Sequence, residues 1–222
     1  MFPGFVSEFA KLGRDKRRDL GRMFVTGTIG RSGVQSVLSV PDHATRVAGE
    51  EAEWAVEQGA DGINLLPPFF LSPSRTEILE HLRCILAAVL DTPIIIQLAP
   101  GLTGSAIAPD DLVSLADDHN NLAAVKVEAM PPGRTASQFT ELEPRLPCLV
   151  GFAGLYLPDS LARGAVGLQP GCSSIELYHR LWTLWEGVTS MGSTTYIAVW
   201  LPTFWTGYRM PSWWCRSRRP CR

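Results

Sequence analysis

The sequence lacks the long apolar run that a membrane span requires and the basic stripe that attracts nucleic acid. No stretch approaches the roughly 18 consecutive apolar residues of a spanning helix, and residues 1–16 contain no basic segment followed by an apolar one. The formal net charge is -2, and the four arginines of residues 215–222 are the part of the chain that could be read as a nucleic-acid patch. We therefore expect a cytoplasmic protein with neither a membrane nor a nucleic-acid partner.

Signals for several catalytic and metal-binding classes are also missing. The stretch Gly171–Ser174 does not form the G-x-S-x-G turn of serine hydrolases, and Gly101 and Gly104 lack both a dinucleotide fingerprint and a phosphate-binding lysine. The 4 histidines are scattered, and the 5 cysteines have irregular spacing. We expect no metal and no cofactor, and we expect buried thiols at Cys84, Cys148, Cys172, Cys215 and Cys221.

What the chain does contain is an alternation of short apolar runs and longer helical patterns. At 222 residues and 45% apolar content, it can form one large domain with a buried core. The predicted strands are Val37–Val40, Gly62–Leu66, Pro93–Gln97, Leu122–Glu128, Cys148–Phe152 and Val166–Gln169. The predicted helices are Asp42–Gln58 with a solvated face of Glu50, Glu51, Glu53 and Glu57, Ser74–Leu90, Pro109–Asp118, Gln138–Leu142, Ser160–Arg163 and Ser174–Trp185. Gly59 should end the first of these helices.

This order predicts an α/β fold in which parallel strands are joined by right-handed helical crossovers. About six such units indicate an incomplete (β/α)8 or TIM barrel over residues 1–188. Residues 189–222 are an irregular tail that is rich in tryptophan, cysteine and arginine. Codons compatible with residues 202–222 can also be read in a shifted frame as an amphipathic helix, so a frameshift near Gly192 is a second interpretation, which the gene's DNA sequence tests.

Lys126 is the most unusual residue of the predicted strands, because it lies inside the apolar run L-A-A-V-K-V-E at 122–128. Strand alternation places Lys126 and Glu128 on the same side. Burial favours the uncharged amine, which can attack a carbonyl carbon. The alternatives are a structural ion pair with Glu128 or a lysine whose stem is buried while its ammonium reaches water.

Three stretches resemble motifs of the dihydrodipicolinate synthase and N-acetylneuraminate lyase family. They are G-A-D-G-I-N-L-L-P-P-F-F at 59–70, A-P-G-L-T-G at 99–104 and N-L-A-A-V-K at 121–126. The resemblance runs from about Gly4 to Val188 and implies a barrel with its site at the carboxyl ends of the strands. It also implies that Lys126 forms a Schiff base with pyruvate or a related 2-keto acid.

The same comparison shows where this sequence departs from the family. Val6 and Ser7 replace the two threonines of the loop that binds the keto acid's carboxylate, and Gln97 and Phe70 replace two tyrosines. Leu102 stands where many dihydrodipicolinate synthases carry an arginine, so that synthesis is not the expected reaction. By resemblance, we expect Lys126, Gln97 and Glu128 to be catalytic. The expected substrate contacts are Val6, Ser7, Phe70, Thr103 and Gly167.

The family's barrel also begins with a strand, a helix and a second strand ahead of the loop at Gly4, and this sequence has none of the three. An open barrel exposes strand edges and apolar faces. Either a partner chain covers the gap or the chain is a fragment, and family analogy favours a homo-oligomer. Two functional hypotheses follow: a Schiff-base lyase or aldolase acting on a small keto acid, and a non-catalytic barrel remnant.

Overall fold

The computed structural model describes residues 1–5, 7–105, 107–142, 146–154, 156–171 and 175–189. By its internal contacts the chain divides into two units, residues 1–170 and 171–222. The first unit contains the whole sheet. The second contains the helix Ile175–Thr189. The predicted irregular tail lies, from residue 190 onward, outside the described residues.

The first unit is built on a parallel sheet with the strand order β1-β2-β3-β4-β5-β6. The strands are β1 Val37–Val40, β2 Gly62–Leu65, β3 Ile94–Leu98, β4 Leu122–Val127, β5 Cys148–Val150 and β6 Gly167–Leu168. Phe2 forms a single parallel bridge with Leu38 at the β1 edge. In the part of the chain that the structure describes, β1 and β6 do not pair with each other. The predicted incomplete barrel is confirmed.

Helices connect successive strands, as parallel pairing requires, and one further helix precedes the first strand and another follows the last. They are α1 Arg14–Thr28, α2 Thr45–Glu57, α3 Arg75–Ala88, α4 Pro100–Thr103, α5 Pro109–Asp118, α6 Pro132–Leu142, α7 Leu157–Ala162 and α8 Ile175–Thr189. The predicted α5 has the observed bounds, with Pro109 in the first turn. Gly59, which follows α2, has a φ of 83°, a left-handed conformation that favours glycine.

Helix α1 was not among the predicted elements. It buries Gly21 and Val25, and seven of its 15 residues are charged, which hides its short apolar stripe in the sequence. A Cβ at Gly21 would lie 3.0 Å from the ring of Trp54 on α2, so a larger residue there would push against that ring. The buried face of the helix is therefore in close contact with α2.

The expected solvated face of α2 was wrong at one position. Glu51 is only 8% exposed, because α1 lies over it. Its Oε1 atom is 2.8 Å from the Arg18 guanidinium, which also lies 5.1 Å from the ring of Trp54. A buried carboxylate costs free energy unless it is paired, so the Arg18 contact compensates for the burial of Glu51.

The remaining corrections concern boundaries and one thiol. Helix α6 begins at Pro132, six residues before the predicted start at Gln138, because proline fits a first helical turn. Cys84 is exposed on α3, against the expectation of a buried thiol, whereas Cys148 is buried in β5. Among the described residues, none of the helices combines the length and apolar character that crossing a lipid bilayer demands.

Asn121 joins the end of α3 to the start of β4. Its Nδ2 atom donates hydrogen bonds of 3.0 Å to the carbonyl oxygens of Leu86 and Val89, which lie at the carboxyl end of the helix. Helix ends leave carbonyl groups without partners, and a buried unpaired carbonyl is costly. Asn121 therefore ties a helix end to the central strand.

Asn121→Ala should lower the free energy of unfolding by about 1–3 kcal/mol, because two buried carbonyls each lose a hydrogen bond, although Val89 O keeps the one from the Thr92 backbone nitrogen. Urea denaturation measures the change. Asn120→Ala removes an exposed asparagine one residue earlier and is the matched control, with an expected effect within about 0.5 kcal/mol. Equal losses in the two variants would contradict this role of Asn121.

His81 makes the folded state sensitive to acid. It is 2% exposed in α3, and burial, with a smaller contribution from His43, lowers its pKa from 6.5 to about 4. The unfolded chain therefore takes up a proton more readily than the folded chain. Stability is present above pH 6.5 and is lost as the pH falls toward 4, by about 3 kcal/mol for this one group.

His81→Gln should remove that part of the pH dependence, so that the variant loses less stability than the parent between pH 6.5 and pH 4. The measurement is urea denaturation at a series of pH values. His119→Gln, at the partly exposed end of α5, is the control. Parallel stability curves for the parent and His81→Gln would rule out this origin of acid sensitivity.

Candidate active site

Lys126 occupies the penultimate position of β4, in register with Gln97 on β3. Its side chain is 3% exposed. Each flanking residue, Val125 and Val127, is fully buried, which is typical of a central parallel strand with both faces covered. The expectation of a lysine whose ammonium reaches water from a buried stem is therefore wrong.

Glu128 is the charged partner of Lys126. The Lys126 Nζ atom lies 2.7 Å from Glu128 Oε1, so the two side chains share one side of the strand as alternation predicted. Burial lowers the pKa of Lys126, while the charge and hydrogen bond of Glu128 oppose part of that shift. The result is an amine that loses its proton below the pH usual for lysine.

The ion pair continues into a chain of buried polar side chains that crosses the sheet. Gln97 Nε2 donates to Glu128 Oε1 over 3.0 Å, and Gln97 Oε1 accepts from Asn64 Nδ2 over 3.0 Å. Asn64 Nδ2 also donates to Ser39 Oγ over 3.2 Å. Four successive strands and the residue after β4 thus contribute one hydrogen-bonded series, within which Gln97 and Asn64 are each 1% exposed.

Gly151, directly after β5, makes room for the Glu128 side chain. A Cβ at this position would lie 2.5 Å from Glu128 Cγ and 2.8 Å from Oε1, closer than real Cβ atoms approach other groups. The backbone nitrogen of Gly151 also donates to Val127 O over 3.0 Å, which fixes its distance from β4. No side chain larger than that of glycine fits here without moving the carboxylate.

Three of the predicted substrate contacts are Ser7, which precedes β1, Phe70, which follows β2, and Thr103, which ends α4. In the described structure none of them is hydrogen-bonded to the buried polar side chains around Lys126. Ser7 Oγ donates to Gly4 O over 2.6 Å, and Thr103 Oγ1 contacts Ala99 O over 2.9 Å. Phe70 follows β2 and is 70% exposed. Their roles as substrate contacts stay predictions.

Of the two other predicted substrate contacts, the structure describes Gly167 but not Val6. Gly167 begins β6, where a Cβ would lie 2.8 Å from Leu149 Cδ2, so glycine is required there for packing. Val6 lies outside the described residues. A substrate role for either residue stays a prediction.

An aromatic cluster with one histidine lies beyond the carboxyl ends of β1 and β2. The His43 ring is 4.5 Å from the Phe69 ring and 6.1 Å from the Phe70 ring, and Phe5 is 6.2 Å from Phe69. Partial burial lowers the pKa of His43, and its Nδ1 atom accepts from the backbone nitrogen of Phe69. The proton of the neutral ring is therefore on Nε2. The resemblance drew attention to Phe70 but not to His43.

Asn64, Ser39 and Gly151 were also not among the predicted site residues. The criterion that selected Lys126, a polar side chain within an apolar strand, applies equally to Asn64 in G-I-N-L at 62–65. Gly151 and Ser39 carry no such signal in the sequence. Within the described ranges, histidine, cysteine, aspartate and glutamate side chains nowhere form a group of three that could hold a metal ion.

A model of the dihydrodipicolinate synthetase family matches residues 7–175. The chain belongs to this family.

The curated relatives of this family member are longer than the chain. The 4-hydroxy-tetrahydrodipicolinate synthase of Prosthecochloris aestuarii is 36% identical over 124 residues, which are 56% of this chain and 41% of that protein. The enzyme of the same name from a Campylobacter jejuni strain is 29% identical over 165 residues, 74% of this chain and 54% of that protein. The chain thus spans about half the length of these relatives.

Solved structures show the same fold. Dihydrodipicolinate synthase from Aquifex aeolicus superposes with a TM-score of 0.69 at 27% identity and covers 77% of this chain and 57% of that one. The Escherichia coli K12 prophage protein YagE, solved in complex with pyruvate, gives a TM-score of 0.76 at 21% identity, with 88% and 65% covered. The open six-stranded sheet is thus similar to part of a family barrel.

Gly151→Ala should displace the Glu128 carboxylate and lower the free energy of unfolding by about 1–3 kcal/mol, the usual cost of forcing an extra group into packed space. Urea denaturation measures it. Gly49→Ala in α2, where nothing lies within 4 Å of the added methyl group, is the control and should stabilise the protein by up to about 1 kcal/mol. A Gly151→Ala protein as stable as the parent would contradict the packing requirement.

Proposed function

We propose that the protein is a Schiff-base-forming lyase or aldolase that acts on a pyruvate-like 2-keto acid through the amine of Lys126. The observation that carries this proposal is the buried Lys126 amine, whose pKa is lowered and whose Nζ atom lies 2.7 Å from a carboxylate. A reactive lysine requires a neutral amine near physiological pH and a group that takes its proton. The lowered pKa of Lys126 favours the first requirement, and Glu128 can supply the second.

In the proposed reaction, Glu128 accepts a proton from the Lys126 ammonium. The free amine then attacks the C2 carbonyl carbon, a C–N bond forms, and the carbonyl electron pair moves to oxygen. This oxygen takes up the proton that nitrogen releases, which gives a carbinolamine. Glu128 then returns its proton to the carbinolamine hydroxyl, which leaves as water, and the nitrogen lone pair forms the C=N bond of a protonated imine. The second hydrogen on Gln97 Nε2 is available to stabilise the oxygen as its charge develops.

Membership in the dihydrodipicolinate synthetase family supports the choice of a small keto acid. The absence of both tyrosines at Gln97 and Phe70 argues for a proton path through Glu128 instead of a tyrosine relay. The aldehyde or keto acid that reacts next is not part of the proposal. We also propose that the protein is a cytoplasmic homo-oligomer, as composition and family analogy lead us to expect.

A non-catalytic barrel remnant is the competing function. The specific observation in its favour is that the Ser7 hydroxyl donates its hydrogen bond to Gly4 O. The two functions differ in one measurable step, the formation of an imine. A remnant folds without forming one.

Incubation with pyruvate and borohydride should reduce an imine on Lys126 to a stable adduct, which intact mass and peptide mapping detect. The chain has three lysines, Lys11, Lys16 and Lys126, so each peptide is assigned without ambiguity. Lys126→Arg keeps a positive charge beside Glu128 and should abolish the adduct, because a guanidinium does not form an imine. Lys11→Arg, at an exposed ion pair with Glu8, is the matched control and should retain it.

An adduct that persists in Lys126→Arg would reject Lys126 as the nucleophile. A folded parent protein that gives no adduct at all would reject the proposed function in favour of the non-catalytic remnant. Circular dichroism of each sample shows whether it is folded. The labelled fraction is compared only among folded samples.

A further inference from the structure

The hydrogen bonds between Glu128 and Ser39 have a single consistent direction. As the ion-pair partner of Lys126, the Glu128 carboxylate only accepts hydrogen bonds. Gln97 must therefore present its Nε2 donor to Glu128, which turns its Oε1 acceptor toward Asn64. Asn64 in turn must direct its Nδ2 donor to Gln97 Oε1. The charge of Glu128 thus sets the orientation of two amides on two neighbouring strands.

Asn64 is held in this orientation by its donor side alone. Its Nδ2 atom serves both Gln97 Oε1 and Ser39 Oγ, while its buried Oδ1 atom has no hydrogen-bond partner in the described structure. A reversed amide would give Oδ1 the Ser39 hydroxyl as donor but would set two carbonyl oxygens, of Asn64 and Gln97, against each other. The observed orientation therefore leaves one acceptor unpaired and keeps the bond to Gln97.

Water does not replace these contacts easily, because Asn64 and Gln97 are each 1% exposed. The Asn64 bond holds the Gln97 amide at its Oε1 end. Without it, the Gln97 side chain can rotate away from Glu128 and take its Nε2 donor with it. This rotation would change the hydrogen bonding of Glu128, the partner of Lys126, although the Asn64 hydrogen bonds described go only to Ser39 and Gln97.

We propose that Asn64 is a positioning residue that acts through Gln97: it fixes the Gln97 amide so that Glu128 Oε1 is shared between Gln97 and Lys126. The proposal rests on the proposed function for its catalytic meaning, because sharing the carboxylate limits how firmly Glu128 holds the Lys126 proton. If Gln97 turns away, Glu128 interacts with Lys126 alone and the ammonium form is favoured. The free amine is then scarcer at neutral pH.

The titration of Lys126 tests this without any assumption about substrate. Protein labelled with ¹³C at lysine Cε gives three lysine signals, which Lys11→Arg and Lys16→Arg assign by elimination. Asn64→Leu should move the Lys126 midpoint to higher pH and reduce its free-amine fraction at neutral pH by about threefold to tenfold, within the range for the loss of one ordinary hydrogen bond. The pH profile of imine trapping should move in the same direction.

A double-mutant cycle separates positioning from a general structural effect. In a Gln97→Met background, which has neither amide bond, Asn64→Leu should leave the Lys126 midpoint unchanged. An equal midpoint shift in both backgrounds, or no shift in the parent background, would overturn the proposal. If Asn64→Leu fails to fold, Ser39→Ala removes one anchor of Asn64 and should produce a smaller shift of the same sign, whose absence also overturns it.

The two proposals fail in different ways. A midpoint that shifts as expected in a protein without any pyruvate adduct supports the role of Asn64 and rejects the Schiff-base function. If pyruvate forms an adduct on Lys126 but the Lys126 titration midpoint is the same in the parent and in Asn64→Leu, the positioning role is rejected and the Schiff-base function stands.

Discussion

The burial of one ammonium group, that of Lys126, is the constraint around which the centre of this sheet is arranged. An ammonium taken out of water costs several kcal/mol unless a nearby charge and hydrogen bonds compensate. Glu128 supplies the charge from two residues along the same chain segment, at 2.7 Å. Glu128 needs space and a donor in turn, which Gly151 and Gln97 provide. Glu128, Gln97 and Gly151 thus all contribute, directly or through Glu128, to compensating the buried charge of Lys126.

Parallel strand order brings these groups together. Strands that follow one another in the chain are neighbours in the sheet, so residues separated by 25 or 33 positions become hydrogen-bonded partners. The register places Gln97 beside Lys126 and Ser39 beside Asn64. Each helix between the strands serves mainly to return the chain in the right direction. The polar series then crosses four strands without a gap.

The surroundings of Lys126 differ from those that the resemblance predicts for it. Gln97 and Phe70 stand where the resemblance expects tyrosines, and a carboxylate two residues after the lysine contacts its amine. A carboxylate accepts a proton as a tyrosinate would, but its charge also stabilises the ammonium. The lowered pKa of Lys126 shows that burial outweighs that stabilisation. The Gln97 amide also donates to the Glu128 carboxylate, which limits how strongly that carboxylate stabilises the ammonium.

The apolar runs in the sequence were sufficient to predict all six strands, because a buried strand requires a continuous apolar segment whatever its neighbours. The helices between the strands were also predicted except α4, which is only 4 residues long. Helix α1 escaped prediction because its face is held by Gly21 against Trp54 and by arginines on Glu51, contacts that involve residues far apart in the chain. Glu51 was predicted to be solvent-exposed for the same reason, because the arginines that cover it come from a distant part of the chain. Local pattern does not contain this information.

For the candidate site, the sequence by itself determined that Lys126 and Glu128 share one side of a strand, because side chains alternate with a period of two. It also marked Gln97 through the resemblance. Only the tertiary structure decided that the pair is buried, that Asn64 and Ser39 continue it across the sheet, and that Gly151 must have no side chain. Those facts depend on the register between strands, which hydrogen bonds and packing set after the chain has folded.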